Sequence, residues 1–208
     1  MPVQSAKNRI IIIAGPNGAG KTTCARQLLQ EFLQIHEYLN ADQIALELYG
    51  YYPKTNVVRP GKVMLQRMHE LVDQNKEFAF ETTLAPRSFA RWIRTLISKD
   101  YVFILHYVFL QSPELAVQRV LTRIKVGGHP VPENVVRRRY WAGIANFFKL
   151  YSHLAHTWMV YDNSGLTYPQ CIAYAQSDQE PTILEPAIWN KFRRAGYAES
   201  NLNTKPGS

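Results

Sequence analysis

Residues 9–22, RIIIIAGPNGAGKT, constrain the fold of this chain more than any other stretch. Four consecutive isoleucines read as a strand buried on both faces, the habit of strands in parallel sheets. The run stops at glycine, and Gly15-Pro16-Asn17-Gly18-Ala19-Gly20-Lys21-Thr22 then fits the spacing G-x-x-x-x-G-K-[ST]. Glycines in such a loop let the backbone fold around a phosphate and turn several N–H groups inward. A helix expected over 21–32 adds the positive end of its dipole. Lys21 is then placed to bridge the β- and γ-phosphates, and Thr22 to give its hydroxyl to Mg²⁺. With Thr23, these residues form the expected site for ATP and Mg²⁺.

The rest of the chain alternates strands with helices. Further strands are expected at 36–40, 78–80, 102–110, 158–161 and 170–174. Helices are expected at 42–48, 62–75, 88–98, 113–125, 133–154 and 185–194. This order calls for an α/β fold, a parallel sheet with helices on both faces. The 208 residues suit a single domain over 1–208. Within it we expect a core at 9–165, a lid at about 119–140 and a C-terminal extension at 166–198. The Asn-, Pro-, Gly- and Ser-bearing stretch 199–208 reads as a flexible tail.

With 46 % hydrophobic and 19 % charged residues, the chain is neither disordered throughout nor a fibrous repeat. Its two cysteines, Cys24 and Cys171, form no CxxC pair and give no disulfide or zinc framework. No signal-type apolar segment opens the chain and no run reaches membrane length, so a cytoplasmic location without membrane contact is expected. The net charge of +8 favours anionic partners. Much of the excess lies in one place: Arg119, Arg123, Lys125, Arg137, Arg138 and Arg139 face Glu133 alone. That concentration suits one multiply charged small ligand and disfavours nucleic acid as the partner.

The loop names the ligand but leaves the reaction open. No LSGGQ-like signature follows it, no strand ends in an acidic pair, and no NKxD occurs. Transport ATPases and GTPases are set aside on those grounds. Asp42 follows the second strand, at the sheet edge where ligands collect. It is a candidate base for an acceptor hydroxyl, or alternatively a cap for the next helix in competition with Asn40. Glu81 and Thr83 close the third strand. Glu81 could hold a Mg²⁺-bound water and Thr83 could orient an acceptor, or both could merely end the strand. Arg119 and Arg123 share a helix face and could follow charge onto the transferred phosphoryl group. The stretch 127–132, GGHPVP, reads as a closing lid, with His129 a candidate phosphate or acceptor contact. In Arg137–Arg139, successive side chains splay by about 100°, so at most two face the site; Arg138 is the substrate candidate. Asp162 and Asn163 end the fifth strand at the expected adenine pocket, where an Asx turn is the alternative. The loop 49–61, with Tyr51, Tyr52, Lys54 and Arg59, is expected to shape the acceptor pocket. Three readings stand side by side: a small-molecule kinase, an ATPase or nucleotide switch without transfer, and a basic nucleic-acid-binding protein.

Taken together, GPNGAGKTT (15–23), YLNADQIA (38–45), FAFETTLA (78–85), RVLTRIKVGGHPVPENVVRRRY (119–140) and MVYDNS (159–164) resemble the zeta-toxin-like family of P-loop kinases. That resemblance implies a nucleoside-kinase-like sheet of strand order 2-3-1-4-5. It also implies ATP- and Mg²⁺-dependent phosphorylation of a hydroxyl on a small acceptor. In the better-understood toxins the acceptor is UDP-N-acetylglucosamine, so a nucleotide sugar is the implied acceptor class and an antitoxin protein an admissible partner. By motif, Lys21 and Thr22 look like the phosphate and Mg²⁺ residues, Asp42 like the base, and Arg119 or Arg123 like the first lid arginine. Where the toxins carry a second lid arginine, this chain has Gly128-His129.

Overall fold

A computed structural model describes residues 7–27, 34–49, 59–165, 168–177 and 179–198. Strand β1 (Arg9–Ala14) carries the isoleucine run, and Ile10 to Ile13 are all at 0 % exposure, covered on both faces. The chain continues through α1 (Lys21–Gln27), β2 (Tyr38–Leu39), α2 (Ala41–Tyr49) and α3 (Arg59–Asp73). β3 (Phe78–Thr82), α4 (Ser88–Ile97), β4 (Val102–Phe109) and α5 (Pro113–Lys125) follow. After α6 (Glu133–Asn146) come β5 (Thr157–Asp162), β6 (Gln170–Gln176), β7 (Thr182–Ile183) and α7 (Pro186–Ala198).

The sheet runs β2-β3-β1-β4-β5-β6-β7. Its first five strands are parallel and have the expected order 2-3-1-4-5. The all-parallel expectation needs one correction, because β6 and β7 extend the sheet antiparallel. Only residues 163–169 join β5 to β6, too few for the helical crossover that a parallel neighbour requires. β1 sits between β3, reached on one side, and β4, reached on the other. This reversal opens a crevice beyond the carboxyl end of β1.

The helix expected over 133–154 is also interrupted. At Asn146 the chain passes into a π turn, Phe147–Tyr151, closed by the Ser152 N–H donating to the Phe147 carbonyl at 2.9 Å. The wider turn lets Phe147 and Tyr151 both reach 0 % exposure. Phe147 packs edge-on against Tyr107, Trp158 and Phe192, while the Tyr151 hydroxyl donates to the Pro86 carbonyl at 2.5 Å. Aromatic edges and faces attract beyond simple area burial, and this cluster locks α6 and α7 to one sheet face. Among the described residues, no helix is long and apolar enough to cross a membrane. The tail 199–208 lies outside the described residues.

Candidate functional site

The loop after β1 is held open by backbone positions that tolerate no side chain. Gly15 has φ +141°, and a Cβ there would lie 2.2 Å from the Val108 carbonyl oxygen of β4. Its N–H donates to the Thr82 carbonyl at the end of β3, 3.2 Å away. At Gly20, φ +82°, a Cβ would lie 2.7 Å from Asn163 Nδ2. That same amide nitrogen donates to the Ala19 carbonyl at 2.8 Å, so Asn163 braces the loop from the end of β5. The loop thus borders a cavity of about 590 Å³, lined on this side by Asn17, Gly18, Gly20, Lys21, Thr22 and Thr23. Gly15, Pro16 and Ala19 of the expected set are buried beneath it. Lys21 Nζ donates back to the Pro16 carbonyl at 3.0 Å. Burial lowers the Lys21 pKa, and the Glu81 and Asp42 carboxylates oppose that shift.

At the end of β2 the capping role falls to Asn40. Asn40 accepts the Asp42 N–H at 2.8 Å and the Gln43 N–H at 3.3 Å on Oδ1. Asn40 is therefore the side chain that caps α2, and the Asp42 carboxylate, left out of capping, lines the cavity. The other end of the Asn40 amide donates to Thr22 Oγ1 at 3.3 Å. Glu81 lines the same wall, together with Thr82 and Thr83. It accepts a hydrogen bond from the Tyr38 hydroxyl, whose pKa is raised by burial and by the Glu81 charge. Thr22 and Glu81 are hard oxygen donors of the kind Mg²⁺ takes, usually with substrate phosphates completing its shell. Among the described residues no cluster of three His, Cys, Asp or Glu could hold a metal unaided. The site thus fits a cation that arrives with its phosphates.

On the far side, α5 and α6 carry the basic segment. Arg119 donates to the Ser164 and Gly165 carbonyls at 3.3 and 3.1 Å, at the β5 end of the cavity. Arg123 donates to the His129 carbonyl at 2.9 Å, and the Gly128 N–H returns a bond to the Arg123 carbonyl, also 2.9 Å. Gly128 is required by this contact, since a Cβ would stand 2.4 Å from Arg123 Cγ. Arg119, Arg123, His129 and Val131 all line the cavity. Of the arginine triplet, Arg137 pairs with Glu114 and Glu133, and Arg138 is exposed and outside the cavity lining. Arg139, the next residue, lines it instead.

Sequence reasoning passed over Asn40 and Tyr38 as the groups that hold Thr22 and Glu81, and it counted Arg139 among three candidates while preferring Arg138. The signal for Arg139 was Gly143, one helical turn later. A Cβ on Gly143 would stand 2.3 Å from the Thr83 carbonyl oxygen, so the face of α6 that meets the site is the 139/143 face. Asp162 and Asn163 lie outside the cavity lining: Asp162 accepts from the Gln111 amide at 2.7 Å and from the Ser164 N–H at 3.1 Å, the Asx turn that stood as the alternative reading. Tyr51, Tyr52 and Lys54 lie outside the described residues, as does the side chain of Arg59. The adjoining Pro60 and Gly61 line the cavity.

The family model of the AAA domain matches residues 10–140. An uncharacterised protein of Haemophilus influenzae is 28 % identical over 134 residues, 64 % of this chain and 94 % of its own. In fold, the chain is similar to a chain of the AvrRxo1-ORF1–AvrRxo1-ORF2 complex crystallised with ATP, at TM-score 0.71 and 13 % identity. That match covers 90 % of this chain but spans only 64 % of the other. A protein of the PezAT chromosomal toxin–antitoxin system of Streptococcus pneumoniae matches at TM-score 0.54 and 16 % identity, covering 97 % of this chain and 89 % of that one. The zeta-toxin-like resemblance drawn from the motifs is thus met by a toxin–antitoxin protein of like fold.

Proposed function

The chain belongs to the AAA domain family, and from that premise we propose that it is an ATP-dependent kinase transferring a γ-phosphate to the hydroxyl of a small acceptor. One observation carries the reading: Asp42, relieved of capping by Asn40, opens onto the same cavity as Lys21 and the loop after β1. A carboxylate held beside a phosphate loop can take the proton of an attacking hydroxyl. The backbone N–H groups of Gly18, Gly20 and the first turn of α1, together with Lys21, hold the phosphates of ATP, Arg119 closes the β5 end of the cavity, and Arg123 serves the transferred group. Thr22 and Glu81 hold Mg²⁺, which when bound neutralises phosphate charge as it develops. Thr83 and His129 face the acceptor. A nucleotide sugar fits the cationic cavity as acceptor and continues the resemblance seen in the motifs.

ADP release from Mg-ATP across nucleotide sugars, nucleosides and free sugars tests this, with Lys21→Ala as the blank. The expected result is stimulation by one acceptor class, absent in the blank. Asp42→Asn should keep nucleotide affinity and lose about 10²- to 10⁴-fold in transfer, the usual contribution of a positioned base. Turnover independent of every acceptor, or equal in the blank, would replace transfer by simple ATP hydrolysis.

A further inference from the structure

The cavity holds one cation whose state differs from the others. Of the four cationic side chains that the described residues place on its wall, Lys21, Arg119 and Arg123 each donate to a backbone oxygen. Arg139 is half-buried, yet makes no hydrogen bond or ion pair with any described residue. Its neighbours in sequence are settled otherwise, Arg137 on two carboxylates and Arg138 in solvent. Keeping a guanidinium partly out of water without an acceptor is unfavourable. Burial accordingly lowers the Arg139 pKa, opposed by the charge of Asp42.

Its position is set by the backbone. Gly143 brings α6 against Thr83, and Asn146 Nδ2 donates to the Leu84 and Ala85 carbonyls at 3.0 and 2.9 Å. Arg139 stands one turn nearer the helix start, and helical side chains lean that way. It therefore belongs to the β2–β3 side of the cavity, with Asp42 and Thr83. Ser164 and Gly165, which hold Arg119, follow β5, two strands beyond β1 in the sheet.

We propose that Arg139 is an anion subsite on the Asp42 side of the cavity, so that the acceptor is an alcohol carrying a phosphate or carboxylate group close to the hydroxyl that reacts. The subsite deepens the kinase reading and rests on it only for the word acceptor. Calorimetric titration of inorganic pyrophosphate, and separately of malonate, into protein saturated with Mg²⁺ and a non-hydrolysable ATP analogue tests it. At least one anion should bind saturably. Arg139→Gln should weaken that binding at least tenfold and change affinity for the ATP analogue less than twofold. Arg139→Lys should recover part of the loss, separating lost charge from lost folding. Binding of pyrophosphate alone would assign a phosphate-bearing acceptor, and of malonate alone a carboxylate-bearing one. Absence of binding to the nucleotide-saturated wild type overturns the subsite, as does an equal loss of ATP-analogue affinity in Arg139→Gln. If the anion binds but no acceptor stimulates ADP release, the kinase reading falls and the subsite stands.

Discussion

Single residues hold this site by what they exclude as much as by what they contact. At Gly15 a methyl group would meet the Val108 carbonyl at 2.2 Å, and φ +141° is a conformation side chains rarely adopt. Gly15→Ala should therefore destabilise by about 2–4 kcal/mol and melt roughly 5–15 °C lower. An unchanged melting curve would show that β1 and β4 can part freely there. His106 makes a second test. It is 3 % exposed, its Nδ1 lies 3.3 Å from the Tyr161 hydroxyl, and its Nε2 is buried without a partner among the described residues. Burial holds its pKa down at about 4, against an ordinary 6.5. Between those values the unfolded chain binds the proton and the folded one does not, so the stabilisation is complete above pH 6.5 and lost as pH falls towards 4. The loss from this group is about 3 kcal/mol. Urea unfolding at steps from pH 7 to pH 4 should show His106→Leu gaining on the wild type by that order. Parallel profiles would assign the acid sensitivity to other groups.

At the scale of elements, α6 links the core to the cavity. Its aromatic continuation, Phe147–Tyr151, is anchored in the α7 cluster, while Gly143 and Asn146 rest on the turn after β3. Gly143→Ala must separate α6 from Thr83, which should cost about 1–3 kcal/mol. Since Arg139 moves with the helix, acceptor-stimulated ADP release should drop at least tenfold while ATP affinity stays within twofold. Full acceptor stimulation in a destabilised variant would cut the link between this contact and the site. The same helix shows what the sequence could convey. The strand–glycine loop–helix unit was legible because its spacing admits few structures, and β1, β3, β4 and β5 were legible from their apolar runs. Their order came with the family resemblance, since alternation alone does not rank neighbours. Three arginines in succession carry no phase until the packing face is known, so Arg138 and Arg139 could not be told apart. Asn40 and Asp42 both suit a cap, and only the backbone at Ala41 chooses between them. A π turn leaves the spacing of apolar residues nearly helical, which hid the break at Asn146.

For the whole molecule, the bonds around the cavity join parts of the chain far apart in sequence. Gly15 is tied to Thr82, Ala19 to Asn163, Thr22 to Asn40, and Arg119 to Ser164. The loop after β1 therefore gathers the ends of β2, β3 and β5 into one unit, with four cations against the two carboxylates Asp42 and Glu81 on the wall among the described residues. Like charges crowded in this way repel in the empty protein, and a polyanion relieves the repulsion as it binds. Any ligand that binds the folded state alone stabilises it by RT ln(1 + [L]/Kd), about 2.7 kcal/mol at a hundred times Kd. For a domain of this size that corresponds to a melting rise of roughly 5–10 °C. Mg-ATP at that excess should produce the rise in scanning calorimetry, and Lys21→Ala should abolish most of it. Removing Mg²⁺ by chelation should shrink the rise, because the phosphates then confront Asp42 and Glu81 without an intervening cation. The unliganded melting temperature of Lys21→Ala should change little, since among the described residues its ammonium donates only to the Pro16 carbonyl. A rise that survives both Lys21→Ala and chelation would mean that ATP binds elsewhere, and the cavity would lose its claim to the nucleotide.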